Sequence, residues 1–198
     1  MEALRIISDE HQALAGILHA IRFMLRKVSA GQLEPDRKLF QAMVHYLDAY
    51  AEKRHHPKED LLFKYLEKRT AEGNDALARL AEQHASAPQR IDALSQSLQV
   101  FVEDATRFKD FSKAFDTYAD FYRDHMMLEE EVVMPLVRQH LTAEDKAMVD
   151  HEFRAEMEAN SGKDGKSEDF AALFSRLVEC APAPLGLGAH LYGEQAGG

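Results

Sequence analysis

The sequence predicts an all-α fold, an up-down four-helix bundle with one or two additional helices at its C-terminal end. Three observations lead to this prediction. Apolar residues recur every three or four positions in four long segments, which is the spacing of an amphipathic helix that faces a core. No segment shows the apolar–polar alternation of a half-buried strand, and 198 residues are enough to bury a core of ordinary size.

The first two segments predict a helical hairpin. The first ends at the turn residues Ala30 and Gly31, and its stripe contains Ile7, His11, Leu14, Leu18, Ile21, Leu25 and Val28. Pro35 stands near the first turn of the second segment, where the missing backbone N–H of a proline costs nothing. The second stripe contains Phe40, Val44, Leu47, Ala51, His55, Glu59, Leu62 and Leu66.

The third and fourth segments predict a second hairpin. A turn at 73–75 precedes the third segment, whose stripe contains Leu77, Leu80, His84, Ala87, Ile91, Leu94, Leu98 and Phe101. A weaker break near 108–112 precedes the fourth, whose stripe contains Phe111, Phe115, Tyr118, Tyr122, His125, Glu129, Val132 and Leu136. Pro57, Pro88 and Pro135 fall inside helical patterns, and each predicts a kink or an early end of its helix.

Two shorter helices are predicted to follow the bundle. The first begins at the N-cap Thr142, and the second begins at the N-cap Ser167 and ends near Cys180. The proline- and glycine-rich stretch beyond cannot continue a helix. We therefore divide the chain into a bundle, residues 1–140, and C-terminal helices with a tail that pack on it, residues 141–198.

Composition narrows the class of protein. The net charge of −10 argues against nucleic acid and anionic membranes as partners. A single cysteine excludes an internal disulfide. The charged N-terminus lacks the apolar stretch of a secretory signal, and no apolar run approaches the roughly 20 residues of a membrane span. We therefore expect a cytoplasmic protein without nucleic-acid or membrane partners. The sequence leaves open whether the chain forms a homodimer.

Six residues that a purely apolar core would not contain lie in phase with the four stripes: His11, His55, Glu59, His84, His125 and Glu129. A carboxylate buried alone is costly, and a cation held between such groups removes that cost. In both His55/Glu59 and His125/Glu129 the two residues are four apart, so each pair projects from one helix face. A histidine followed by a His-x-x-x-Glu pair thus occurs twice, which predicts two related halves of one metal site.

Two carboxylates among four imidazoles suit two metal ions, and this set of donors suits iron or zinc. Each glutamate can bridge both ions, while a shared oxo or hydroxo group and the histidines fill further places. With about six places per iron, about two stay open for a small ligand. His56 can take one of them, since it precedes Glu59 by three residues, although it lies at the edge of the stripe. The candidate ligands of this pair of metal ions are His11, His55, His56, Glu59, His84, His125 and Glu129.

The ordered set of His11, His55-His56-Pro57-Lys58-Glu59, His84 and His125-x-x-x-Glu129-Glu130 resembles the HHE cation-binding, hemerythrin-like family over roughly residues 1–140. The resemblance implies a four-helix bundle with a carboxylate-bridged, non-haem di-iron centre. Oxygen-carrying hemerythrins have a His-x-x-x-His pair on the third helix, where this chain has Pro88, and an aspartate where it has Glu129. Both departures resemble bacterial hemerythrin-like proteins, including the branch linked to repair of iron–sulfur centres.

Three functions remain open from the sequence. The first, which we favour, is a module that binds or senses a small ligand such as oxygen or nitric oxide, or that handles iron. The second is a di-iron redox enzyme that reduces nitric oxide or peroxide, or that donates iron for cluster repair. The third, a structural metal site, is least favoured because such a site fills its coordination. Asp60 and Glu130 are interpreted as supporting or solvent-facing groups, and Tyr118 and Tyr122 as core residues, with a redox role as the alternative.

Overall fold

The computed structural model describes residues 1–160 and 170–188. These ranges are helical apart from short turns and contain no strand, which confirms the predicted all-α class. The α-helices are α1 (Glu2–Ser29), α2 (Arg37–Tyr46), α3 (His56–Glu67), α4 (Asn74–Glu103), α5 (Phe108–Leu128), α6 (Met134–His140), α7 (Ala143–Asn160) and α8 (Phe170–Cys180). Two π-helical segments, Leu47–His55 and Glu129–Val133, continue α2 into α3 and α5 into α6, and a 3₁₀ turn, Ala105–Arg107, precedes α5.

The first turn between helices is set by local chemistry. Gly31 adopts a left-handed φ of 65° just after α1. This conformation suits a residue without a Cβ, and the Gln32 N–H then donates to the Lys27 carbonyl at 2.9 Å. The Asp36 carboxylate accepts from the Leu39 N–H at 2.9 Å and caps α2. The sequence 31–36 therefore ends one helix and starts the next.

Two of the three internal prolines follow a π-helical segment. Pro57 lies in the first turn of α3, directly after Leu47–His55, and Pro135 in the first turn of α6, directly after Glu129–Val133. A proline has no N–H to donate and its ring crowds the carbonyl four residues back, so an interrupted α-helical ladder before it relieves the conflict. Pro88 lies inside the uninterrupted α4.

The helices pack in a recognisable order. Helix α1 contacts α2, α2 contacts α4, α4 contacts α5, and α5 contacts α1. Helix α7 packs on α1 and α3, and α8 packs on α1 and α2. The division of the chain at residue 140 stays a prediction. None of the described helices is both long and apolar enough to cross a lipid bilayer.

The described residues form two apolar cores with a layer of polar side chains between them. The larger core includes Leu14, Ile17, Ala51, Ile91, Phe115 and Tyr122. The smaller core includes Ile7, Leu62, Leu80, Val133, Val137 and Phe153. On α4, for example, His84 lies between a residue of one core and a residue of the other, Leu80 and Ile91. The polar layer consists of Glu10, His11, His55, His56, Lys58, Glu59, His84, His125 and Glu129.

Candidate metal centre

The polar layer brings together the candidate ligands that the sequence singled out. Helix α1 supplies His11, α4 supplies His84 and α5 supplies His125. The π-helical segments and the start of α3 supply His55, His56, Glu59 and Glu129. All of these side chains are buried except His84, which is partly buried. Four separate helical stretches therefore converge on one place, and the role of these residues as ligands stays a prediction.

The first group of candidate ligands is His11, His55 and Glu59. Nε2 of His11 lies 3.0 Å and Nε2 of His55 lies 2.9 Å from Oε1 of Glu59. Glu129 also lies beside this group, with its Oε2 at 3.1 Å from Nε2 of His11. The ligand atoms of the group lie within 4.8 Å of one another, so they could hold one metal ion.

The second group is His56, Glu59, His84 and His125, whose ligand atoms also lie within 4.8 Å of one another. Oε2 of Glu59 lies 3.4 Å from Nε2 of His84 and 3.7 Å from Nε2 of His125. Oε2 of Glu129 lies 3.5 Å from Nε2 of His125. Glu59 therefore belongs to both groups, with one oxygen toward each. His56, which the sequence left at the edge of the stripe, lies in the second group.

Each imidazole of the layer turns Nδ1 away from the ligand groups and toward a side-chain oxygen. The pairs, with the Nδ1–oxygen distance, are His11–Glu130 at 2.9 Å, His55–Glu10 at 2.7 Å, His56–Glu52 at 3.2 Å, His84–Asp60 at 2.7 Å and His125–Gln83 at 3.1 Å. We call these five oxygen-bearing residues the outer partners. An Nδ1–H that donates outward leaves Nε2 as the nitrogen that faces the ligand groups and can bind a metal once it has lost its own proton.

Several buried polar atoms in the layer lack a hydrogen-bond partner. They are Nε2 of His55, His84 and His125, Oε2 of Glu59, and both carboxylate oxygens of Glu129; Oε2 of Glu52, which faces His56, also lacks one. A buried polar atom without a partner costs roughly 1–3 kcal/mol, and more for a charged group. These atoms are nitrogen and oxygen donors suited to iron or zinc, so a bound cation fits the residues present.

A match to a known protein family covers every candidate ligand of this site. Residues 2–137 match the family model described as "Hemerythrin HHE cation binding domain". The chain belongs to this family. No curated protein and no solved structure matched it. The predicted resemblance is thereby confirmed, and the converging histidine and glutamate groups of this hemerythrin domain agree with a cation-binding role.

Carboxylates hold two imidazoles of the hemerythrin domain strongly basic. Burial lowers the pKa of His11, but the adjacent carboxylates of Glu129 and Glu59 outweigh burial and raise the pKa to about 11. Burial also lowers the pKa of His55, but the charge of Glu59 and the hydrogen bond to Glu10 raise it to about 9. Without a metal, both rings are therefore protonated at neutral pH.

Three further groups of the layer, His84, His125 and Glu129, also have shifted pKa values. Burial lowers the pKa of His84, yet the hydrogen bond to Asp60 raises it to about 10. Burial lowers the pKa of His125 to about 4, although the nearby carboxylate of Glu59 acts in the opposite direction. Burial and the charge of Glu59 raise the pKa of Glu129 to about 8. Glu129 thus keeps a proton at neutral pH because it is buried and its neighbour Glu59 is ionised.

Sequence reasoning missed three of the outer partners: Glu10, Glu52 and Gln83. Two of them stand next to a candidate ligand in the chain, Glu10 before His11 and Gln83 before His84. Neighbours on a helix point about 100° apart, so a residue beside an inward-facing ligand can reach an adjacent helix. The position of Glu10 and Gln83 directly before a candidate ligand was therefore the feature of the sequence that could have indicated their role. The partner that each one contacts could not be read from the sequence.

Proposed function

We propose that this hemerythrin domain holds two iron ions in a non-haem dinuclear centre and binds a small ligand there. The observation that carries the proposal is the position of Glu59, which has one oxygen in each of two ligand groups. Glu129 supports it, because both of its buried oxygens lack a hydrogen-bond partner and its Oε2 lies near an imidazole of each group. Two carboxylates placed in this way suit a pair of bridged cations.

The proposed fold around this centre is an up-down four-helix bundle. Its four members are α1, the stretch from α2 to α3, α4, and the stretch from α5 to α6. The closed order of contacts, α1 to α2 to α4 to α5 and back to α1, supports this arrangement. Each member contributes to the polar layer, as in bundles that build a metal site from facing helices.

The two proposed metal positions differ in their supply of imidazoles. The first has His11 and His55, and the second has His56, His84 and His125. Because the two glutamates are shared, the first position has fewer protein donors and more room for an exogenous ligand. Leu14 and Ala51, both buried, belong to the core beside this position, so we expect only a ligand of a few atoms to reach it.

When bound, iron supplies redox and ligand-binding chemistry, and the protein supplies geometry and exclusion of water. The imidazole Nε2 atoms are aimed inward by the outer partners, and Glu59 and Glu129 are fully buried. The site therefore lies in a dry, pre-shaped layer in which a small ligand would meet the metal without competing bulk water.

The proposal is tested by loading the protein with ferrous iron under anaerobic conditions. Metal analysis should give about two irons per chain, because one ion would leave one of the two ligand groups unused. Oxygen, nitric oxide or peroxide is then admitted while visible spectra are recorded. A reversible adduct with oxygen or nitric oxide supports ligand binding, whereas rapid oxidation with turnover supports the redox enzyme. One iron per chain, or no spectral response to any of the three ligands, would overturn the proposal.

A further inference from the structure

The outer partners of the hemerythrin domain repeat the twofold pattern of the ligands. Glu10, directly before the ligand histidine of α1, contacts Nδ1 of His55 at 2.7 Å. Gln83, directly before the ligand histidine of α4, contacts Nδ1 of His125 at 3.1 Å. In each half of the chain, therefore, the residue before the lone histidine orients the histidine of the His-x-x-x-Glu pair.

The acidic residues that follow the two ligand glutamates make contacts from one half of the chain to the other. Asp60, directly after the first ligand glutamate, contacts Nδ1 of His84 at 2.7 Å. Glu130, directly after the second ligand glutamate, contacts Nδ1 of His11 at 2.9 Å. Each half thus orients the lone histidine of the other half. Both of these partners are carboxylates with substantial exposure, 48% for Asp60 and 36% for Glu130, so they act on the two positions in nearly the same way.

The symmetry is broken at the pair of residues before the lone histidines. Glu10 is a carboxylate, whereas its counterpart Gln83 is a neutral amide. The Glu10 side chain is only 10% exposed, and its Oε1 accepts hydrogen bonds from the Tyr50 hydroxyl at 2.8 Å and from the Lys58 ammonium. Lys58 itself is buried in the polar layer. Glu10 is therefore held against His55 by two donors.

The chemical consequence concerns the strength of the imidazole donors. An imidazole whose Nδ1–H is bonded to a carboxylate is a better electron donor through Nε2 than one bonded to an amide. We propose, on the basis of the dinuclear centre proposed above, that Glu10 and Gln83 are paired positioning residues that make His55 and His125 unequal donors to the two metal positions. Glu10 strengthens His55 as a donor to the first position. Gln83 holds His125 in the same orientation but leaves it the weaker donor to the second.

The test exchanges the two side chains. Gln83→Glu and Glu10→Gln are prepared singly and together, loaded anaerobically with ⁵⁷Fe²⁺, and compared with wild type by chelator competition and Mössbauer spectroscopy. Loss of an outer partner changes metal affinity by roughly 10–100-fold. We expect Gln83→Glu to lower the overall dissociation constant for two irons about tenfold and Glu10→Gln to raise it about tenfold or more. The two iron signals should move closer together in each single variant and separate again in the double variant.

The control is Gln89→Glu, which adds the same charge to an exposed position of α4. It should match wild type in both measurements. Glu10→Gln removes the partner of Lys58, so its unfolding temperature is recorded without metal, and Gln83→Glu carries the test if that variant does not fold. Unchanged or weaker iron binding in Gln83→Glu, with unchanged iron signals, overturns the inference. Wild-type protein that takes up fewer than two irons contradicts the dinuclear centre itself, which separates the two failures.

Discussion

At the scale of single residues, Glu59 and Glu129 compete for ionisation. Their carboxylates share one buried layer, and the charge of Glu59 together with burial raises the pKa of Glu129 to about 8. The unfolded chain ionises this glutamate near its ordinary pKa of 4.5, so the folded metal-free protein binds more protons between these values. The contribution of the protonated Glu129 carboxyl to the free energy of unfolding is therefore lost as the pH rises from about 4.5 toward 8.

The substitution Glu129→Gln should remove this loss. Relative to the variant, the metal-free wild type should lose roughly 1–4 kcal/mol of unfolding free energy across this window, because a buried charge is being created. Urea unfolding of both proteins in the presence of a chelator, at several pH values between 5 and 8, measures the difference. Parallel pH profiles would show that Glu129 ionises normally in the folded protein.

Metal binding should release protons. His11, His55 and His84 have pKa values raised to about 11, 9 and 10, so each carries a proton at pH 7 without metal. A metal on Nε2 displaces that proton, and a metal on Glu129, whose pKa of about 8 keeps it protonated at pH 7, displaces one more, so about four protons per chain should appear when the centre fills at pH 7. Calorimetric titration in buffers with different ionisation enthalpies counts them. Binding enthalpies that do not depend on the buffer would mean that the rings are already neutral.

At the scale of secondary structure, the first π-helical segment explains the unusual spacing of the second stripe. Leu47, Ala51, His55 and Glu59 follow one another in steps of four. On an α-helix each step of four overshoots a full turn by about 40°, so these residues would drift off one face. The Leu47–His55 segment winds more residues into each turn, and all four side chains are buried.

Replacing either of two glycines, Gly73 before α4 and Gly16 inside α1, by alanine should change the stability of the fold in opposite directions. Gly73 has a left-handed φ of 88°, and a Cβ there would lie 2.5 Å from Cδ1 of Leu136. Gly73→Ala should therefore destabilise the fold by about 1–2 kcal/mol, or more if Leu136 cannot move. Gly16 lies inside α1, and a Cβ there meets nothing within 4 Å. Gly16→Ala should stabilise the fold by roughly 0.5–1 kcal/mol. Thermal unfolding of both variants decides, and shifts of the same sign would contradict the described backbone.

At the scale of the whole molecule, the polar layer separates two apolar cores, so its state affects all four helical stretches. A cation that binds only the folded protein stabilises it by mass action, by about 2.7 kcal/mol at a free concentration one hundred times the dissociation constant. Glu59→Ala should abolish most of this gain, because Glu59 belongs to both ligand groups. The matched control is His140→Ala, which removes a surface ion pair with Glu72. Melting curves with and without iron test this, and equal metal-dependent shifts in both variants would refute the ligand assignment.

The sequence by itself determined the helical class and the set of candidate ligands, because both depend on local periodicity. A residue three or four positions from another shares its helix face wherever the helix lies, so the buried stripes and the His-x-x-x-Glu pairs could be read directly. Around Glu129 the spacing between stripe residues alternates regularly between four and three, as on an ordinary α-helix, so the sequence did not predict the second π-helical segment.

Only the tertiary structure decided which side chains meet across helices. The position of His56 in the second group and the contacts from Glu10 to His55 and from Gln83 to His125 depend on the register and rotation of one helix against another. That register is set by the packing of both apolar cores together, and no spacing within one helix encodes it. The local sequence therefore determined which donor groups are available to the site, and packing assigned each donor its partner.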